Sequence, residues 1–305
     1  MKKVILNIAL IAVSASLVLT SCKKKDEVEP DYSELSQQSG DNASVQRESD
    51  QAINDAITLL EGSSLSGARL SKAAPSTSSL DSNECKVDTM MVDGKKHFQF
   101  KYKGISKDGK VRSGKMTAVL TSGTTWKDEG AVLTLTFDTI KVNRNGKTVT
   151  FSGTKIITNV TGGKVKDLVS STDSIVHNVS SSNLKITFDD GTTRTWVVSK
   201  SRTFKGDGTC TIKGTGVDGI SESGITRKGT PFKTTIKKPV IFSKCNGNDP
   251  KPISGQEVHT GLVREVAVTL GVDDAGTEVN SCESTGMKIV WLNRKGETQQ
   301  VIIKY

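Results

Sequence analysis

The chain has 305 residues, with 42 Lys and Arg against 33 Asp and Glu, and only 34% hydrophobic and 5% aromatic content. That length allows one large or two small domains with a real core, and no stretch reaches the ~18 consecutive apolar residues of a membrane-crossing helix. Abundant Gly, Ser and Thr suit an all-β protein with many turns better than a helical one.

The amino end reads first as an address. Lys2 and Lys3 precede a 16-residue apolar run, VILNIALIAVSASLVL, which ends at Leu19. A basic start, a short apolar middle and a small-residue exit predict a secretory signal peptide over residues 1–21. Leu19-Thr20-Ser21-Cys22 resembles the bacterial lipobox. The resemblance implies cleavage before Cys22, a diacylglyceryl group on its sulfur and acylation of the freed amine. At ~0.8 kcal/mol per buried methylene, two or three acyl chains hold a protein on a bilayer. This covalent lipid is the only prosthetic group expected. Lys23-Lys24-Lys25-Asp26-Glu27 follows and resembles the surface-export signal of Bacteroidota lipoproteins. The expected location is therefore the outer face of the outer membrane, with the periplasmic face as the alternative.

Residues 22–41 read as a polar, lipidated tether. Asn42-Ala43-Ser44 offers capping oxygens, and Val45, Ala52, Ile53, Ala56, Ile57 and Leu60 recur at helical spacing. An amphipathic helix is predicted over 42–62, with Glu48, Asp50, Asn54, Asp55 and Glu61 on its polar side. Residues 63–84 are Ser- and Ala-rich and read as a linker. Charge divides sharply: residues 23–85 carry a net −6 and residues 86–305 a net +13. A basic domain suits anionic partners as well as solubility, but its lysines are scattered and lack interleaved aromatics, so nucleic acid is not expected.

From Cys85 onward the period changes to two. Alternation in VLTLTF (Leu133, Leu135, Phe137), LKITF (Leu184, Ile186, Phe188), VAVTL (Val266, Val268, Leu270) and VIIKY (Val301, Ile303) marks strands. Asp93-Gly94, Asp108-Gly109, Asn145-Gly146, Asp190-Gly191, Asp207-Gly208 and Lys295-Gly296 supply hairpin turns. Phe137 and Ile140 stand on opposite parities, which predicts a bulge between them. The expected fold is all-β over 85–305, an antiparallel hairpin meander or β-sandwich with room for two sub-domains, preceded by one short amphipathic helix.

Four cysteines follow the anchor, in a compartment that permits disulfides. Cys245 with Cys282 is the favoured pair, since each ends or follows a strand-like segment of the same region. Cys85 with Cys210 is assigned by elimination, and buried thiols are the alternative. Motifs with chemistry are sparse. Gly214-Thr215-Gly216-Val217-Asp218-Gly219 matches GxGxxG but lacks the following helix that a dinucleotide phosphate needs, so it reads as a glycine-rich loop. Thr187–Trp196 resembles a sialidase Asp-box, yet a plain Asp-Gly hairpin accounts for it. His97, His177 and His259 have no metal-site spacing, and no catalytic residue is assigned. Trp126, in the loop-like SGTTWKDEG, is the candidate for stacking on a sugar ring, with a core role as the alternative. Asp88-Thr89-Met90, Asp138-Thr139-Ile140 and Asp173-Ser174-Ile175 resemble the Bacteroidota O-glycosylation motif and make Thr89, Thr139 and Ser174 candidate acceptors.

The lipobox with its charged tether, SDQAINDA at Ser49–Ala56, KDGKVRSGKMTAVLT at Lys107–Thr121, LTFDTIKVNRNGKTVTFSGTKIITN, LKITFDDGTTRTW and NSCESTGMKIVWLNRKGETQQVIIKY together resemble an uncharacterised family of Bacteroidota surface lipoproteins. The resemblance implies an exported β-rich protein and carries over no catalytic residue. That family often has a cysteine in the stretch corresponding to Phe100–Ser106, where this chain has Ile105, so the partner of Cys85 stays open. The expected function is a non-enzymatic binding or structural surface module, anchored to the membrane by its lipid and facing glycans, anionic envelope polymers or proteins. An envelope glycan hydrolase using an unrecognised carboxylate pair is the alternative.

Overall fold

A computed structural model describes residues 32–62, 85–105, 111–144, 146–170, 172–245, 250–261, 265–293 and 295–305. The signal segment, Cys22, the first half of the tether (22–31) and the linker at 63–84 lie outside the described residues, as does Asp108-Gly109. Among the described residues one α-helix, α1 (Tyr32–Gly62), precedes fourteen strands in a single antiparallel sheet. The strands are β1 (Cys85–Val92), β2 (Lys95–Ile105), β3 (Val111–Ser122), β4 (Ala131–Arg144), β5 (Lys147–Asn159), β6 (Ser174–Phe188) and β7 (Thr193–Lys205), followed by β8 (Cys210–Gly214), β9 (Ile220–Ile225), β10 (Pro231–Ser243), β11 (Lys251–Thr260), β12 (Val266–Val272), β13 (Gly286–Leu292) and β14 (Thr298–Lys304). Each strand pairs with its sequence neighbours, with one interruption. The fold is therefore all-β and, of the two expected architectures, the meander.

The interruption explains the glycine-rich motif. The carboxyl half of β7 pairs with β8 and its amino half with β9; β10 does the same from the other side. β8 and β9 thus share one lane of the sheet, and Gly214–Gly219 is a tight excursion between them. Asp218 and Gly219 have φ of 56° and 78°, and an added Cβ on Gly214 would meet the Gly219 carbonyl oxygen at 2.0 Å. Only glycine permits so close a pinch.

Alternating residues do as their period demands. Leu133, Leu135 and Phe137 on β4, and Leu184, Ile186 and Phe188 on β6, are all buried on the inner face. The register of β4 on β5 slips between Phe137 and Ile140, where Thr139 takes φ 57°. This is the expected bulge. Across from it Gly114, at φ 103°, leaves room for the Thr139 carbonyl oxygen, which would stand 2.3 Å from a Cβ. Such bulges bend and twist a sheet, and this sheet curls around α1. Of residues 48–61 only Asn54 is exposed, which one flat sheet face could not achieve.

The helix begins at Tyr32, ten residues before the expected cap at Asn42, and takes in the polar stretch read as tether. One tertiary contact anchors the helix just ahead of that cap. Asp41 is gripped by the Arg227 guanidinium, whose Nε donates to Oδ2 at 2.7 Å from the β9–β10 turn. All six apolar residues assigned to the helix, Val45, Ala52, Ile53, Ala56, Ile57 and Leu60, are buried against β1–β7. A second apolar cluster, Ile212, Val240, Val266, Val268, Leu270 and Ile289, forms on the inner face of the later strands. One continuous sheet therefore carries two cores.

Cys245 and Cys282 form the favoured disulfide, with Cα atoms 5.5 Å apart across a sequence separation of 37. It ties the end of β10 to the β12–β13 connection. Replacing both cysteines by Ser is expected to lower stability by ~2–4 kcal/mol in a urea titration. Reduction of the native chain should reproduce the loss, and leave the double variant unchanged.

Candidate functional site

The expected polar side of α1 is not a solvent face. Five of its carboxylates meet the sheet. Asp41 binds Arg227, and Glu48 accepts from Arg112 of β3 at 3.0 Å. Asp55, 1% exposed, takes the same guanidinium at 3.6 Å and the Tyr102 hydroxyl of β2 at 3.3 Å. Asp50 lies 3.5 Å from the Lys200 ammonium of β7. Glu61 accepts from the backbone N–H groups of Val165 at 2.9 Å and Lys166 at 3.4 Å, while the Lys164 ammonium caps its carbonyl. That cation meets the negative end of the helix dipole.

Asp50 is the centre of this arrangement. Its Oδ1 is occluded although 19% of the side chain remains exposed. Burial alone would raise its pKa, but Lys200, Arg202 and Lys155 together outweigh burial and hold the carboxyl below its ordinary range. Lys155 of β5 and Lys200 of β7 are themselves 0% and 1% exposed. The Lys155 ammonium lies 4.6 Å above the Trp196 ring and has no hydrogen-bond partner. Burial, opposed by Asp50, lowers its pKa to about 7.

Register puts Lys155 on one transverse line with polar groups of the later strands. Lys155 stands opposite Ser181, Ser181 opposite Val198, Val198 opposite Glu222, Glu222 opposite Thr234, and Thr234 opposite His259. Thr234 Oγ1 and His259 Nδ1 are 2.9 Å apart, and His259 Nε2 is 3.7 Å from Glu257 Oε2. A hydroxyl, an imidazole and a carboxylate in that order are the elements of nucleophilic catalysis. Burial, helped by Arg194, lowers the His259 pKa to about 4 and leaves a neutral ring. Burial, and next Glu222, raises Glu257 to about 7. Thr234 is 2% exposed, so the trio satisfies itself inside the wall and offers its hydroxyl to no substrate. Where β2–β5 meet α1, a cleft lined by Ser49, Tyr102, Arg112 and Phe137 has about 10 Å³ of free space, room for one water.

The residues singled out from sequence fall in different places. Trp126 is 1% exposed and is not a sugar platform. Asp128 accepts from the Thr124 and Thr125 N–H groups and folds the loop back. Asn159 then holds the Trp126 carbonyl at 2.8 Å, and the indole packs edge-on against His177 at 5.1 Å. The polar neighbours that made the loop look solvent-facing are its internal braces. Cys85 and Cys210 are not bridged: they open β1 and β8, strands separated by six others in the sheet. Burial raises the pKa of the Cys210 thiol despite Arg202 beside it. Thr89, Thr139 and Ser174 are all exposed, on β1, at the β4 bulge and at the start of β6. The Asp-box resemblance resolves into a hairpin in which Asp190 accepts from the Thr192 N–H and hydroxyl. No family model, curated protein or solved structure matches the chain.

Sequence reading missed the buried cations. Lys155 and Lys200 sit at inward positions of strands whose neighbours alternate correctly, so parity was the available signal. Removing Asp50 strands these charges, and Asp50→Ala is expected to cost ~3–5 kcal/mol in a denaturant titration. Lys155→Met should instead gain ~1 kcal/mol or more, because an apolar isostere replaces an ammonium without a hydrogen bond. The sign follows the depressed pKa. The burial penalty is complete below about pH 7, shrinks as pH rises toward the ordinary 10.5, and is gone above it. The advantage of Lys155→Met should therefore be largest at or below pH 7 and fade by pH 10.

Proposed function

We propose that this chain is a lipid-anchored cell-envelope protein, held by Cys22 on the outer membrane and facing outward, that acts as a non-enzymatic binding or structural module. The observation that supports this reading is the contrast between the two faces of the sheet. The inner face, with its titratable groups, is filled by α1 and by its own core. The outer face carries hydroxyls and lysines. One outer line reads Gln99, Thr117, Thr136, Thr154 across β2–β5, and another Thr158, Asn178, Ser201, Lys213 across β5–β8. Lys115, Lys141, Lys185, Lys213 and Lys233 are exposed on that side. Hydroxyls and ammonium groups in rows suit glycans or anionic envelope polymers, with proteins as a further class.

The hydrolase reading has one observation in its favour. Glu222 and Glu257 lie near enough for one charge to raise the pKa of the other, which is how a general acid is tuned. Two measurements separate the readings. The full mature chain in detergent should bind polygalacturonate, release it as salt rises, and ignore dextran. Lys141→Glu, Lys185→Glu, Lys213→Glu and Lys233→Glu combined should weaken binding at least ~10-fold. Release of reducing ends from either polymer would overturn the binding reading in favour of hydrolysis. For the anchor, Cys22→Ala should move the protein from the membrane to the soluble fraction, and an acyl-free Cys22 in native protein would refute it.

A further inference from the structure

Among the described residues the sheet stays open rather than closing into a barrel. Its order runs from β1 to β14, and among the described residues each of these strands pairs on one side only. An unpaired edge is a template for another strand unless charge, proline or a bulge guards it. β1 is guarded: Asp88 binds Lys86 at 3.1 Å and Lys101 at 2.8 Å along its outer side. β14 is not. Its sequence is TQQVIIK, residues 299–303 are uncharged, and its register on β13 runs unbroken from Thr298 to Lys304.

The inner side of β14 is also unfinished. Gln299, Val301 and Ile303 lie opposite Trp291, Ile289 and Met287. Val301 is 42% exposed, and Met287, Trp291 and Ile303 are only partly buried against the second core. The strand is nonetheless held firmly. The Tyr305 N–H donates to the Thr285 carbonyl, and the Tyr305 hydroxyl accepts from Gly271 N–H at 2.9 Å.

The strand complements itself. Laid antiparallel on a copy about Val301, Thr298 meets Lys304, Gln299 meets Ile303, Gln300 meets Ile302, and Val301 meets Val301. Inner residues face inner residues, and no like charges stand opposite. We propose that β14 pairs with β14 of a second copy about a two-fold axis at Val301, joining two sheets into one and covering the apolar strip. An axis through the strand makes the contact isologous, so assembly stops at two. Pairing of β14 with β1 of another copy would be head-to-tail and would not stop.

The test is sedimentation of the full mature chain in density-matched detergent, with Val301→Lys, Val301→Glu and their equimolar mixture. Native protein should be a dimer. Each single variant should weaken dimerisation by ~10-fold or more, because directly opposed residues lie only ~5 Å apart and like charges there repel. The mixture should restore the dimer, since opposite charges then meet across the axis. A native monomer at about 100 µM, a level at which an interface of even modest affinity fills, would overturn the proposal. So would a series that grows beyond two with concentration, which would point to β1, or variants that dimerise like native protein. Thermal melts confirm that the variants fold. If they do not, Val301→Cys decides: a reducible dimer in membranes is expected, and its absence with Gln300→Cys cross-linking instead would refute the register.

Discussion

Asp50 sits among three cations that the fold has taken almost wholly out of water, and its carboxylate offsets them without satisfying every hydrogen-bonding atom. Lys155 comes from β5 and Lys200 and Arg202 from β7, two strands away, and the three share one counter-charge above the strand between them. The apolar contacts of α1 supply the larger stabilisation, but many helices could fill an apolar trough. The carboxylates at Asp41, Glu48, Asp50, Asp55 and Glu61 fix the position of this one along its axis. Buried ionic groups serve specificity better than stability, and here the specificity is the seat of the helix.

The second core obeys a different rule. No helix fills the inner face of the later strands among the described residues; apolar side chains from β8, β10, β12 and β13 gather on one another instead. The disulfide ties the β10 end to the β12–β13 connection in this thinner region, where fewer large side chains are fully buried. The two halves of the sheet thus use two means of closure, ion-paired helix packing and a covalent link. Both leave the outer face free to be polar.

Much of this architecture was legible in the residues. Period-two runs placed Leu133, Leu184 and Val266 on the inner face, and the parity clash at Phe137 and Ile140 located a bulge, because side-chain direction in a strand is a local property. Asp-Gly turns were legible for the same reason. The site was not. Thr234 and His259 meet through strand pairing, and the Asp41–Arg227 pair that anchors the helix joins residues 186 apart. Trp126 misled because hydroxyls and a carboxylate that brace a loop internally look the same in sequence as ones that face water. The fate of Cys85 and Cys210 depended on strand order, which four cysteines alone do not specify.

The long separations also set an order of events. α1 precedes every strand, yet its partners lie as far away as Arg202 and Arg227. An emerging chain therefore presents its acidic helix long before the cations that seat it exist. Contacts that span so much of the chain make folding slow. The first core cannot close on its helix until β7 and the β9–β10 turn have been made, so for most of synthesis the acidic segment has only water to hold its carboxylates.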